Sequence, residues 1–172
     1  MYTTLRNLFV AALAVGLIPH EAALAQSAGC AISRDAGGRQ VLSCPGGVKV
    51  TAEAGASFRL TDRNHDGSPD SASLRRKAIL VDVDSSQHTG GFQVVTPQAI
   101  AAVRGTQWAI DVAGGKTSVL VVRGSVAVRR PAGEPVVLSP GEGVDVTSST
   151  EPLVVRRWPA PRVAALLARL GQ

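Results

Sequence analysis

Across residues 96–147 the chain alternates apolar and polar positions in short runs, each broken by Gly or Pro. Successive side chains on a strand point to opposite faces, so such runs predict strands half-buried in a sheet. Trp108, Ile110 and Val112 fall on one face. In the next run Val119 and Val121 share a face while Leu120 and Val122 share the opposite one. Apolar residues at both parities predict a strand covered on both sides. Val126 and Val128 follow Gly124, and Val144 and Val146 follow the turn Pro140-Gly141-Glu142-Gly143. Upstream, Val48 and Val50, then Phe58 and Leu60, keep the same alternation. Ile79, Val81 and Val83 continue it, at the end of one long bent strand or a strand pair. About eleven to thirteen short strands between turn residues predict an all-β domain, a sandwich or jelly-roll-like fold. A short β-solenoid is the alternative, ranked second because no strict repeat is visible.

The period changes at both ends. Near the C-terminus, Val163, Leu166, Leu167 and Leu170 recur at helical spacing after Pro161, with Gly171 beyond them. This predicts a short amphipathic helix that needs a surface to cover its apolar stripe, either the sheet or a partner. At the N-terminus, Arg6 precedes an apolar run over residues 8–18, Pro19 ends it, and Ala23-Leu24-Ala25 follows. That order predicts a secretory signal over residues 1–25, the apolar run being too short for a membrane span. The remainder divides into a disulfide-bearing hairpin region (26–60), an acidic loop with strands (61–89), a β core (90–147) and a tail with the helix (148–172). Residues 26–172 read as one domain without a transmembrane segment.

Export makes the cysteine pair informative. Cys30 and Cys44 flank a segment with a turn signal at Asp35-Ala36-Gly37-Gly38. A hairpin there sets Ile32 opposite Leu42 and Arg34 opposite Gln40, which brings the two cysteines together for a disulfide in a periplasmic or secreted protein. The chain of 172 residues carries a formal net charge of +5. The charge comes mostly from Arg, and losing Arg6 and Glu21 with the signal leaves it unchanged. Such a balance suits acidic proteins or envelope components better than nucleic acid. Three basic runs, Arg75-Arg76-Lys77, Arg129-Arg130 and Arg156-Arg157, alternate across strand faces. They form a patch only if the fold brings them together; otherwise they are solvated charges.

The ordered pieces TPQAIAAVRGT, WAIDV, RGSVAV and VVLSPGEGVDV resemble the FecR family over roughly residues 90–147. The resemblance implies an extracytoplasmic all-β module that binds a ligand or protein. In the best-known members it relays the state of an outer-membrane receptor to a cytoplasmic sigma factor. This chain looks like a stand-alone exported version, without the cytoplasmic anti-sigma region. Within the Arg104-Gly105-Thr106 step, Gly105 permits a sharp turn, Thr106 can hydrogen-bond it, and Arg104 either pins it or contacts a ligand; Arg104 and Thr106 are the candidate binding residues here. Gly124, Gly141 and Gly143 are further turn positions. Trp158 is the aromatic residue best placed for a contact, with packing beneath the helix as the alternative.

A second motif, Asp62-Arg63-Asn64-His65-Asp66-Gly67-Ser68-Pro69-Asp70, spaces oxygen ligands as calcium loops do. Asp62, Asn64, Asp66 and Asp70 are the candidate ligands. The loop resembles calcium loops outside EF-hands, since residue twelve is Ser73 rather than Glu. A polar Asx-turn connection is the local alternative. Catalysis finds little support. His65 and His88 are the histidines beyond the signal, and neither lies beside a second metal ligand at cupin-like spacing or within a nucleophile elbow. The chain is expected to be non-enzymatic, a binding and sensing module or a calcium-stiffened envelope protein.

Overall fold

The computed structural model describes residues 29–172; the expected signal lies outside the described residues. Among these residues are thirteen strands, one α-helix and a single 3-10 turn at Pro45–Gly47. The strands are β1 (Ala31–Arg34), β2 (Gln40–Cys44), β3 (Val48–Ala52), β4 (Ser57–Thr61), β5 (Ser71–Val83), β6 (Phe92–Val95) and β7 (Ile100–Val103). They continue as β8 (Gln107–Ala113), β9 (Lys116–Arg123), β10 (Val126–Arg129), β11 (Val136–Leu138), β12 (Glu142–Val146) and β13 (Arg156–Arg157). The helix α1 spans Ala160–Arg169.

One curled sheet holds all thirteen strands, and β5 is its pivot. The first half of β5 pairs with β4 and β6 and begins a ladder that runs on through β7, β10 and β11. Its second half pairs with β3 and β8 and belongs to a ladder running from β1 to β13. The change of partners falls at Lys77, whose φ of +61° is a left-handed conformation seldom taken by a side-chain-bearing residue. Lys77 Nζ donates to the Ala54 carbonyl at 2.5 Å across this bend. Of the two readings of the residues around Arg75 and Arg76, the single long bent strand is the one observed. All pairings are antiparallel except β5–β6.

Curling sets the two ladders face to face over a common core. Leu74, Val94, Val126, Val128 and Leu138 approach from one side, and Val50, Val81, Ile110, Val119 and Val144 from the other. The Phe92 and Trp108 rings meet edge-on across the gap, 6.1 Å between centroids. Ile79 and Val81 of β5, Trp108 and Ile110 of β8, and Val119 and Val121 of β9 thus fill the sandwich. Their alternates Leu80, Ala109 and Leu120 form a second buried cluster with Trp158, Leu166 and Leu170. α1 covers that outer face, so β5, β8 and β9 are enclosed on both sides, as the run at 119–122 predicts.

α1 starts at Pro161 in its first turn and is closed by Gly171 N–H to the Ala168 carbonyl at 3.1 Å. Arg169 then anchors it. Its Nη1 donates to Asp111 Oδ2 at 2.7 Å and its Nη2 to Glu53 Oε2 at 2.6 Å. At the far edge Cys30 and Cys44 form a disulfide, with Ile32 opposite Leu42 and Arg34 opposite Gln40. Among the described residues no helix is long and apolar enough to cross a membrane.

Candidate binding surfaces

Residues 62–70 join β4 to β5, and Asp, Asn and Gly fold the loop back on itself. Asp62 Oδ2 accepts from Gly67 N–H at 2.8 Å, and Asp70 Oδ2 accepts from Arg63 N–H at 3.1 Å. Asp66 Oδ1 accepts from Ser68 N–H at 2.8 Å and its Oδ2 from Asn64 Nδ2 at 2.8 Å. These bonds, the Ser68 amide first, hold the Asp66 carboxyl below the usual aspartate range. Two oxygens are left over. Asp62 Oδ1 and Asp70 Oδ1 are buried without a hydrogen-bond partner, and Arg63 Nε stands 3.9 Å from the latter. Among the described residues no three His, Cys, Asp or Glu side chains converge as a metal cluster. The four calcium-loop candidates therefore lie in one loop, with Asp62 and Asp70 turned inward and Asn64 and Asp66 engaged with each other.

Arg104-Gly105-Thr106 joins β7 to β8. Gly105 has φ of +62°, and a Cβ there would run into Ser85. The turn is fixed from both flanks: Val83 N–H donates to the Thr106 carbonyl at 3.0 Å, and the Thr106 hydroxyl donates to the Ser125 carbonyl at 2.9 Å. Thr106 is fully buried: its hydroxyl serves the turn, and it is not exposed for the binding contact that the sequence reading also expected of it. Arg104 is exposed and makes no side-chain hydrogen bond or ion pair among the described residues. It borders an open groove of about 640 Å³ that also takes in Arg63, Asp70, Phe92, Gln93 and Val137. The fold thus brings one end of the acidic loop to the same groove as Arg104.

Trp158 is also buried, with 7% of its surface exposed. Its ring lies against Gly143, where any Cβ would collide with the indole, and Arg162 covers the other face at 3.5 Å from the ring centroid. Its role is the packing alternative: it wedges α1 against β12. Gly124 and Gly141 sit in tight turns at positive φ, as their turn roles require, whereas Gly143 lies within β12 and is a glycine because the Trp158 ring occupies the space of a Cβ.

The basic runs only partly converge. Arg130, Arg156, Arg157 and Arg162 border one cleft of about 410 Å³ at the N-terminal end of α1, whereas Arg75 and Arg76 lie elsewhere on β5. No local pattern announces this grouping, since Arg130 leaves β10 and the other three follow β12. Arg169 is likewise a residue that sequence reasoning passed over. It sits on the polar side of an amphipathic helix, where a solvated charge is the ordinary reading.

The FecR protein family model matches residues 31–127. The match begins at β1 and ends within β10. It takes in the N-terminal strands that the sequence resemblance left out, and stops short of the Pro140-Gly141 turn. No curated protein matches. Two crystal structures of a candidate anti-sigma factor from Parabacteroides distasonis, at 1.65 Å and 2.50 Å resolution, share the fold. Each has a TM-score of 0.60 and 23% identity, covering 79% of this chain and 63% of that one. This chain therefore spans less than two thirds of the solved protein, and the likeness is one of fold. Because the family model covers more than half of the sequence and strands of both ladders, this chain belongs to the FecR family.

Proposed function

We propose that this protein is a non-enzymatic, extracytoplasmic FecR-like sensing module that contacts a protein or envelope partner in a cell-surface signalling system. The family match over residues 31–127 carries this reading. The disulfide, suited to an oxidising compartment, supports the location. The architecture supports binding over chemistry: its polar surface features are open grooves bordered by arginine. The test is deletion of the gene in its native host, with transcript levels compared across envelope conditions. A restricted set of genes changes and is restored by the intact chain. An unchanged transcriptome under every condition tried overturns the signalling role.

We propose as a second reading that the loop 62–70 takes up Ca²⁺ and stiffens the β4–β5 corner. The two carboxylate oxygens without a hydrogen-bond partner, Asp62 Oδ1 and Asp70 Oδ1, favour it, because a hard cation is a partner suited to such oxygens. Asp62 and Asp70 would supply the first ligands, and Asp66 and Asn64 would release each other to complete the set. Titration calorimetry decides: heat of binding with a Kd near about 10⁻³ M or tighter, abolished by Asp62→Asn, supports the reading. No heat up to about 10 mM ends it.

A further inference from the structure

The cleft at the start of α1 has two neighbours with unused binding capacity. The first is charge. Arg156 and Arg157 are exposed and make no ion pair or side-chain hydrogen bond among the described residues. Arg130 gives one bond, from Nε to the Thr147 carbonyl at 3.3 Å. Two carboxylates line the cleft, Asp145 and Glu151. Asp145 is already engaged: it accepts from Arg162 Nη2 at 2.6 Å and from the Ser118 hydroxyl at 2.6 Å, and Lys116 Nζ stands 3.7 Å away. Glu151 is exposed and pairs with none of the cleft's arginines. The N-terminus of α1 adds its own positive end, with no acidic residue in the first turn to offset it.

The second is backbone. Residues 151–155 lead into β13 outside any regular element and form no backbone hydrogen bonds with the rest of the described chain. β13 pairs with β12 alone and closes its ladder as an edge. Trp158 N–H donates inward to the Gly141 carbonyl at 3.0 Å. By the alternation of an antiparallel ladder, the amides of Arg157 and Val155 then face the open edge. Leu153 and Val155 lean on the core, while Val154 is 56% exposed and borders the cleft beside the arginines.

We infer that this edge and cleft receive an extended acidic segment of a partner protein, which adds a strand to β13 and sets carboxylates against Arg130, Arg156 and Arg157. The inference rests on the reading that the chain docks a protein, and it names where. Main-chain pairing would provide affinity, and the arginines, as forked donors to carboxylates, would select the sign of the partner. A row of arginine on an open edge discourages basic or like strands, so the same feature excludes the wrong partners. A bare phosphate would use the guanidinium groups and leave both Val154 and the free backbone without a role.

The experiment uses fluorescence anisotropy with a labelled alternating Glu–Val peptide of about ten residues. Its Lys–Val counterpart and phosphatidylglycerol vesicles serve as the other arms. The Glu–Val peptide is expected to bind with a Kd below about 10⁻⁴ M, and R156E/R157E to weaken it at least about tenfold. R75E/R76E, an equal charge reversal on β5, leaves it unchanged. Amide exchange at Val155 and Arg157 slows on binding, as charge attraction alone would not require. Should the glutamate pair fail to fold by circular dichroism, R156Q/R157Q is read the same way. No peptide binding up to about 1 mM, equal loss in both double variants, or equal binding of Lys–Val overturns the inference. So does capture of the vesicles without the peptide, which would assign the cleft to a lipid surface. A transcriptional response to gene deletion together with any of these failures would remove this site and spare the signalling role.

Discussion

At the scale of single residues, the structure depends on positions where a side chain is forbidden or enclosed. Gly105 shows the first kind, with its positive φ and Ser85 standing where a Cβ would be. Gly105→Val is expected to cost at least about 2 kcal/mol, since backbone strain and a steric collision act together. In a chain of this size that is a fall in Tm of about 4–8 °C. An unchanged melting curve would mean that the turn rearranges freely around residue 105. Trp158 shows the second kind: a large ring between Gly143 and Arg162, closing the cluster beneath α1. Local sequence shows that Gly105 marks a turn. It does not show that Trp158 is covered, because its cover comes from a glycine fifteen positions earlier and a helix that follows.

At the scale of elements, α1 is held by its apolar stripe and by one arginine. Burial opposes ionisation of Glu53, but Arg169 and the Ala78 N–H outweigh it and hold the carboxyl below its ordinary value of 4.5. A group whose pKa is lower in the folded than in the unfolded chain stabilises the fold above the unfolded value. That contribution disappears as pH falls through the folded value. The wild-type Tm is therefore expected to fall on acidification from about pH 5 towards about pH 2. Arg169→Met, which strips both carboxylates of their cation, lowers Tm at neutral pH, and the gap to wild type narrows as the solution is acidified. Melting curves separated by a constant amount at every pH would show that the Glu53 contact contributes nothing. The stripe itself was legible, because Val163, Leu166, Leu167 and Leu170 follow a helical period. So was its destination in part: apolar residues at both parities of 119–122 require a cover on the second face. Arg169 was not legible, since its partners Asp111 and Glu53 come from β8 and the turn after β3.

At the scale of the whole molecule, stability is distributed between a core that curls shut and a covalent staple at its rim. The Cys30–Cys44 loop restricts the unfolded chain, so C30S/C44S, or reduction of the wild type, is expected to lower stability by about 3 kcal/mol. Denaturant midpoints with and without dithiothreitol measure it, and coincident midpoints would show that the staple is thermodynamically idle. The all-β class and the approximate number of strands could be read from alternation and turn residues, and the hairpin register from Ile32 and Leu42. The layering could not. Which ladder faces which depends on the reversal at Lys77, a residue whose chemistry gives no hint of a left-handed backbone. The grouping of Arg130 with Arg156 and Arg157 is long-range for the same reason.

That reversal has a consequence for how the protein fails. Because β5 exchanges neighbours at Lys77, it hydrogen-bonds to four strands, two in each ladder. Neither half of the molecule can be completed without it, so a stable half-molecule fragment is not to be had. A protease cut at Lys77 should dissolve the whole fold at once. A cut at the Gly114-Gly115 hairpin tip, which severs no shared strand, should leave a nicked protein that still melts in a single step.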